Sequence, residues 1–161
     1  MSKIRKADAA DHDAIWAILE PIFRAGDSYA IDPDIPRDAA LAFWQGGNHS
    51  VYVISEDSTL LGTYYICPNQ AGGGNHVCNC GFATAKAARG RGLARKMLDH
   101  ALKTARESGY YAMQFNFVVA SNLAAIQIWR DYGFETVGRL PDAFSHPDQG
   151  LIDALILYKT L

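Results

Sequence analysis

The residues Thr84-Ala85-Lys86-Ala87-Ala88-Arg89-Gly90-Arg91-Gly92-Leu93-Ala94 decide how this chain is read, because they join a β-prone run to its clearest helix pattern. Upstream, His76 to Thr84 (HVCNCGFAT) reads as a strand. Downstream, Arg91 to Ser108 places Leu93, Met97, Leu98, Ala101, Leu102 and Ala105 on one helical face and Arg95, Lys96, Lys103 and Arg106 on the other, with Gly109 as the natural stop. A strand–turn–helix junction leaves the first helical N–H groups unpaired at the positive end of the helix dipole, which makes an anion site. Gly90, Gly92 and the small Ala94 let the backbone approach a phosphate closely, and Arg89 and Arg91 add charge. Two common phosphate motifs fail at named residues. A Walker loop ends in Gly-Lys-Ser/Thr, whereas Gly92 is followed by Leu93-Ala94. A dinucleotide fingerprint needs Gly or Ala three positions after its second glycine, and Arg95 stands there.

Outward from this junction the chain divides into short elements. Lys3 to Lys6 reads as a first strand. Asp11 to Arg24 spaces Ile15, Ile18, Leu19 and Ile22 as a helix, with Asp11 as its N-cap and Pro21 as its kink or end. Gly26 to Pro36 (GDSYAIDPDIP) predicts an irregular loop, and Arg37 to Trp44 a short helix. Val51 to Ser55 and Leu60 to Cys67 read as a hairpin around Glu56 to Thr59, followed by the loop Pro68 to Asn75 with flexible Gly72-Gly73-Gly74. Tyr111 to Val119 is β-prone. Ser121 can cap a helix that runs to about Tyr132 and stops at Gly133. Phe134 to Leu140 and Leu151 to Tyr158 supply the last strands across a loop from Pro141 to Gly150. With no repeat, low-complexity tract or long linker, residues 1–161 predict one α+β domain, a sheet with helices packed on it rather than a doubly wound repeat.

Composition bounds the function. Lys and Arg number 15 against 17 Asp and Glu, a net charge of −2, which argues against a dedicated nucleic-acid binder. No apolar run approaches the roughly 20 residues of a membrane span, and MSKIRKADAADHD lacks the apolar stretch of a signal peptide, so the expected location is cytoplasmic. The 3 cysteines do not make a disulfide framework.

The stretch Arg89-x-x-Gly92-x-Ala94 resembles the acyl-CoA pyrophosphate signature of the GNAT acetyltransferase superfamily, Arg/Gln-x-x-Gly-x-Gly/Ala. Asn122-x-x-Ala125-Ile126-x-Ile128-Trp129-x-x-x-Gly133-Phe134 resembles its second signature, Asn-x-x-Ala-x-x-x-Tyr-x-x-x-Gly-Phe. The resemblance covers essentially the whole chain, the first 50 residues mainly in element order. It implies a GNAT-like domain: a central mixed twisted sheet of about seven strands with helices on both faces. It also implies an acetyl-CoA-dependent N-acetyltransferase acting on a small-molecule amine. On this resemblance the backbone of Phe82, Ala83 and Thr84 holds the pantetheine arm. Arg89, Gly90, Arg91, Gly92, Leu93 and Ala94 hold the pyrophosphate, and Asn122 contacts the pantetheine region. The strands His76–Thr84 and Tyr111–Val119 splay apart to admit acetyl-CoA. Many relatives dimerise, so a homodimer is admitted, although no stretch here marks an interface.

Acetyl transfer needs a neutral amine, a polarised thioester carbonyl and a proton for the leaving thiolate, whereas a free aliphatic amine is mostly protonated at neutral pH. Many relatives use a Glu as base, yet neither central strand contains Glu or Asp. The usual acid is the signature tyrosine, and Trp129 stands in its place; an indole N–H donates a hydrogen bond but is no practical proton source. Tyr132, three residues on, is either a replacement acid or a core residue.

What these strands carry instead is asparagine. Alternation puts Val77, Asn79 and Gly81 on one face, and Gln114, Asn116 and Val118 on one face of the next strand. Amides within strands are costly unless bonded, and asparagine is depleted there. Asn79 and Asn116 therefore either patch backbone groups where the strands diverge or line the acceptor site in an oxyanion-type role. His76-Val77-Cys78-Asn79, Phe115-Asn116-Phe117-Val118 and Asp153-Ala154 resemble the GNAT branch that includes the fungal L-azetidine-2-carboxylate acetyltransferase. That resemblance implies Asn79 and Asn116 as the catalytic residues, a small amino or imino acid as acceptor, and direct attack in a ternary complex. The alternatives are a protein N-terminal or Lys acetyltransferase, and a non-catalytic acyl-CoA-binding regulator.

Other residues have competing readings. Cys78-x-Cys80 suggests metal or redox chemistry, but only scattered His12, His49, His76, His100 and His146 exist to complete a site, so buried apolar thiols and no metal are expected. His76 is a base or a surface group, and Asp153 is paired or aimed at the cleft. Tyr29, Phe43 and Trp44 wall an acceptor pocket or pack in the core, beneath the covering loop Asp27 to Pro36.

Overall fold

Seven strands form one mixed sheet in the computed structural model, which describes residues 1–161. They are β1 (Lys3–Lys6), β2 (Ser50–Glu56), β3 (Thr59–Pro68), β4 (Val77–Thr84), β5 (Ala112–Val119), β6 (Glu135–His146) and β7 (Gly150–Thr160), in the order β1-β2-β3-β4-β5-β7-β6. All neighbours are antiparallel except β4 and β5. The β2–β3 turn narrows to Asp57-Ser58, both at positive φ (46° and 67°), the left-handed pair that matches the twist of a two-residue hairpin.

The helices lie on both faces, as expected. Helices α1 (His12–Ala25) and α2 (Arg37–Gln45) bury Ile15, Leu19, Phe23 and Trp44 against Val51, Val53, Tyr65 and Cys67. Helices α3 (Leu93–Glu107) and α4 (Leu123–Asp131) bury the predicted apolar face of α3, with Ile126 and Trp129, against Ile54, Tyr64, Ile66, Cys78 and Cys80. The period of 2 along β3 explains the division: Tyr64 and Ile66 serve one core, Tyr65 and Cys67 the other.

Local details depart from expectation for identifiable reasons. Pro21 does not end α1, which continues to Ala25 and stops at Gly26 (φ +64°). The ring is exposed while Ile18, Leu19, Ile22 and Phe23 are buried around it, so packing offsets the missing bond. Asp11 holds the N-cap position of α1 as expected, but its side chain makes no cap bond. Its carboxylate accepts two bonds from Arg5, both 2.7 Å, and one from the Asp8 N–H at 2.9 Å. The cap of α4 is Asn122, not Ser121, and its Oδ1 accepts the Ala125 N–H at 3.4 Å. The stretch from Pro141 is strand rather than loop: β6 runs on to His146, with register breaks at Thr136/Gly138 and Leu140/Phe144. An edge strand tolerates a proline, because the missing N–H faces no partner. In β5 a register break between Phe115 and Val118 sends both side chains into the α3–α4 core, so Val118 does not share a face with Asn116.

Candidate functional site

The parallel strands touch only briefly. β4 and β5 pair at Val77↔Ala112 and Cys78↔Met113, and beyond Cys78 no ladder pair joins them. From Asn79 onward the two strands diverge, and the gap opens a cavity of about 710 Å³.

At one end of the cavity stand six of the expected donor-binding residues: Phe82, Ala83, Thr84, Arg89, Ala94 and Asn122. Gly90, Arg91 and Gly92 are exposed on the turn beside it, and the Leu93 side chain is buried beneath α3. Gly90 and Gly92 hold φ +75° and +74°, and a Cβ at either would meet nothing within 4 Å. Glycine is therefore required by the left-handed backbone rather than by crowding. No side chain caps α3, so the amides of its first turn face this turn unpaired.

The basic residues here are not equivalent. Arg91 donates to Glu56 of the β2–β3 hairpin, and Arg95 donates to Asp131 at 2.6 Å. Lys96 donates to the Ser2 hydroxyl at 2.9 Å. Arg89 has no carboxylate partner and is the one Lys or Arg on the cavity wall.

The other end lies beneath the loop between α1 and α2. Tyr29 donates its hydroxyl to the Phe82 carbonyl at 2.6 Å, its ring edge-on to Phe23 at 5.6 Å and Trp44 at 6.1 Å. Burial, with the nearby Tyr65, pushes the Tyr29 phenol far above its ordinary pKa, so it anchors the loop and does not titrate. Tyr29 and Phe43 line the cavity, whereas Trp44 is fully buried with its indole N–H on Thr63 Oγ1 at 3.2 Å. Tyr65 crosses directly over Gly81, where a Cβ would lie 2.4 Å from its ring.

Both strand asparagines line the cavity within one amide chain. Half-buried Asn79 donates from Nδ2 to the Gln114 carbonyl at 3.0 Å, bridging the gap, and its Oδ1 lies 3.5 Å from the Tyr65 hydroxyl. Exposed Asn116 accepts from Gln114 Nε2 at 2.9 Å and donates to Asn69 Oδ1 at 2.6 Å. The Asn79 bond is the backbone patch that one reading of the sequence expects. It uses one of two amide hydrogens and leaves the other for the cavity.

The remaining candidates take other roles, inside the cavity or away from it. Tyr132 is outside the cavity, its ring beneath the Arg95 guanidinium at 5.9 Å and its hydroxyl 3.5 Å from the Arg95 carbonyl. Trp129 lines the cavity, packed on Phe115 at 4.7 Å and Phe82 at 5.3 Å. His76 is exposed beside Tyr111. Asp153 is paired rather than aimed at the cleft: the Asp142 N–H at 2.9 Å, then Arg139, hold its carboxyl below the usual range. Cys67, Cys78 and Cys80 are free and buried. Burial pushes the Cys67 thiol up to about 11 and Cys80 well above its ordinary value, so neither is a ready nucleophile. No group of three His, Cys, Asp or Glu side chains comes together as a metal site, and no helix is long and apolar enough to cross a membrane.

The one carboxylate and the one imidazole on the wall, Asp27 and His146, are given no site role by the sequence. Asp27 follows α1 and His146 ends β6, and only the topology joins them.

The same architecture occurs in known proteins. A family model described as Acetyltransferase (GNAT) family matches residues 12–134. The chain is 34% identical to N-acetyltransferase aca1 of Schizosaccharomyces pombe over 100 residues, which are 62% of this chain and 48% of that one. It therefore spans about half the length of that curated relative. A GCN5-related N-acetyltransferase from Kribbella flavida superposes with a TM-score of 0.94 at 35% identity, covering 99% of this chain and 98% of its own. The fold is also that of yncA from Salmonella typhimurium, solved with its cofactor acetyl-CoA: TM-score 0.88 and 22% identity over 100% of this chain and 94% of its own. The family match runs from α1 to Phe134 and so takes in both signatures and the diverging strands between them. The chain belongs to the GNAT family of acetyltransferases.

Proposed function

We propose that this chain transfers acetyl from acetyl-CoA to the amine of a small amino or imino acid by direct attack within a ternary complex. The observation that carries the reading is the single cavity between β4 and β5, with an anion-binding turn at one end and amide donors at the other.

The donor end fits an extended thioester with a polyphosphate head. The left-handed glycines leave open space above the turn, the first amides of α3 are uncapped, and Arg89 carries an unpaired charge. Arg89 and those amides receive the pyrophosphate, while the unpaired edge of β4 from Phe82 to Thr84 holds the arm. The Phe82 carbonyl is already taken by Tyr29, so the rest of the segment does this. Asn122 keeps α4 in place as its cap and presents its remaining amide to the cavity wall.

In the reaction the amine nitrogen forms a bond to the thioester carbonyl carbon, the carbon–sulfur bond breaks with its electron pair leaving on sulfur as the CoA thiolate, and the amine gives up a proton that is passed on to solvent or to that thiolate. The spare amide hydrogens of Asn79 and Asn116 hold the thioester oxygen and the acceptor. Asp27 is the one carboxylate on the wall and the group that takes the amine proton. Holding both reactants in one cavity supplies much of the rate even where no strong acid is present.

Thiol release from acetyl-CoA, measured with proline analogues, amino acids, polyamines and peptides, tests the reading. Turnover confined to the amino and imino acids supports it. Turnover on peptides would make this a protein acetyltransferase, and tight CoA binding with no turnover an acyl-CoA-binding regulator.

A further inference from the structure

We propose that His146 determines acceptor specificity by donating a hydrogen bond from Nε2 to the acceptor's carboxylate. The inference rests on the amino- or imino-acid reading and names the group that recognises the acid.

His146 ends β6 and reaches the cavity wall together with Gln149 of the following turn. Its Nδ1 accepts two backbone N–H bonds, from Asp148 at 3.1 Å and Gln149 at 3.3 Å. A ring nitrogen that accepts N–H donors carries no proton, so the neutral imidazole holds its hydrogen on Nε2. Phe144, buried and edge-on at 6.4 Å, packs beside the ring. Nε2 is thus a donor fixed by the fold. A hydrogen on Nδ1 would point at two backbone hydrogens, so Nε2 serves as a donor rather than an acceptor. It suits an oxygen.

The rest of the wall makes this donor count. The one cation there, Arg89, stands on the turn assigned to the pyrophosphate. A carboxylate at the acceptor end therefore meets neutral donors: the His146 imidazole and the amides of Asn79 and Asn116. Asp27 repels a second anion on the same wall and favours an acceptor whose positive amine accompanies its carboxylate.

The test compares L-azetidine-2-carboxylate with its primary amide, the same ring without the charge. Hydrogen bonds to charged groups set the scale: His146→Phe is expected to lower kcat/KM for the acid about 10- to 100-fold, chiefly through KM. The amide should change less than about threefold on the same scale, and His146→Gln, which restores an N–H donor, should recover part of the loss. An unchanged KM for acetyl-CoA shows the fold intact. Equal losses on acid and amide, or no loss on the acid, overturn the assignment. Should wild type acetylate neither ring compound, this ring is excluded as acceptor independently of His146. His146 is then decided by the imidazole ¹⁵N spectrum of the CoA-saturated protein. An Nε2 signal that moves with the acid and not the amide upholds the contact, and one that moves with neither removes it.

Discussion

Replacing Asn79 by alanine separates the two readings of the strand amides. The change removes the Nδ2 donor that reaches the Gln114 carbonyl at 3.0 Å across the β4–β5 gap. A half-buried carbonyl left without its partner costs about 1–2 kcal/mol, which at this chain length lowers Tm by about 3–6 °C. If bridging the gap is the whole role, that is the whole effect. A protein with about 5 kcal/mol of stability that loses 2 is still about 99% folded at 25 °C, so destabilisation cannot lower the apparent kcat measurably. If the second amide hydrogen also holds the thioester oxygen, kcat falls about 10²- to 10³-fold. The assay is single-temperature turnover with saturating acetyl-CoA and acceptor, beside a thermal melt and a CoA-binding titration. A lower Tm with kcat within about threefold of wild type would refute the catalytic role, since that drop is far below what an oxyanion donor contributes.

Other perturbations follow from the same contacts. Gly81→Ala drives a Cβ to 2.4 Å from the ring of Tyr65, which is wedged by His49 at 4.2 Å and Trp44 at 4.9 Å. Overpacking of this kind costs about 1–3 kcal/mol, and an unchanged urea midpoint would contradict it. Asp11→Asn removes the carboxylate that Arg5 holds below its ordinary pKa of 3.8. A depressed folded pKa stabilises fully above the unfolded value and is lost as pH falls through the folded one. The variant should be weaker at pH 7 by about 1.5–3 kcal/mol, with the gap closing below the ordinary carboxylate range; parallel curves down to pH 2 would remove the ion pair from the account. Arg89→Ala should raise the KM for acetyl-CoA about 5- to 20-fold, while Arg91→Ala, whose guanidinium is committed to Glu56, should change it less than about threefold. The reverse order in steady-state kinetics would reassign the pyrophosphate contact.

The α3 pattern was legible because its six apolar positions all face one core, and the two signatures are local strings that survive without tertiary context. Features set by partners distant in sequence were not. Glu56 lies 35 residues from Arg91 and Asp131 36 from Arg95, so a basic turn that looks free is half neutralised. The β5 bulge turns Val118 inward where strict alternation sends it outward. Ser121 and Asn122 both have capping side chains, and only the backbone decides between them. Pro141 reads as a loop former, and it lies in a register break of β6 whose flanks, Leu140 and Phe144, still pair with β7. Trp44 and Tyr29 differ in fate because α2 turns one inward while the preceding loop presents the other to the cavity. Neither Asp27 nor His146 belongs to a motif; both line the cavity because the fold brings the loop after α1 and the end of β6 to its wall.

The bond from Tyr29 to the Phe82 carbonyl ties the loop over the acceptor to the strand segment assigned to the donor arm. On the proposed reading the two substrates thereby share a boundary. A shift of Phe82 on entry of the thioester then reaches the loop over the amine through this bond, and thermodynamic reciprocity makes the effect equal in both directions. A coupling of about 1 kcal/mol through this one phenol changes each affinity about fivefold in the presence of the other. Preference for one order of substrate arrival then needs no moving domain, only a hydroxyl that reads the position of a peptide carbonyl.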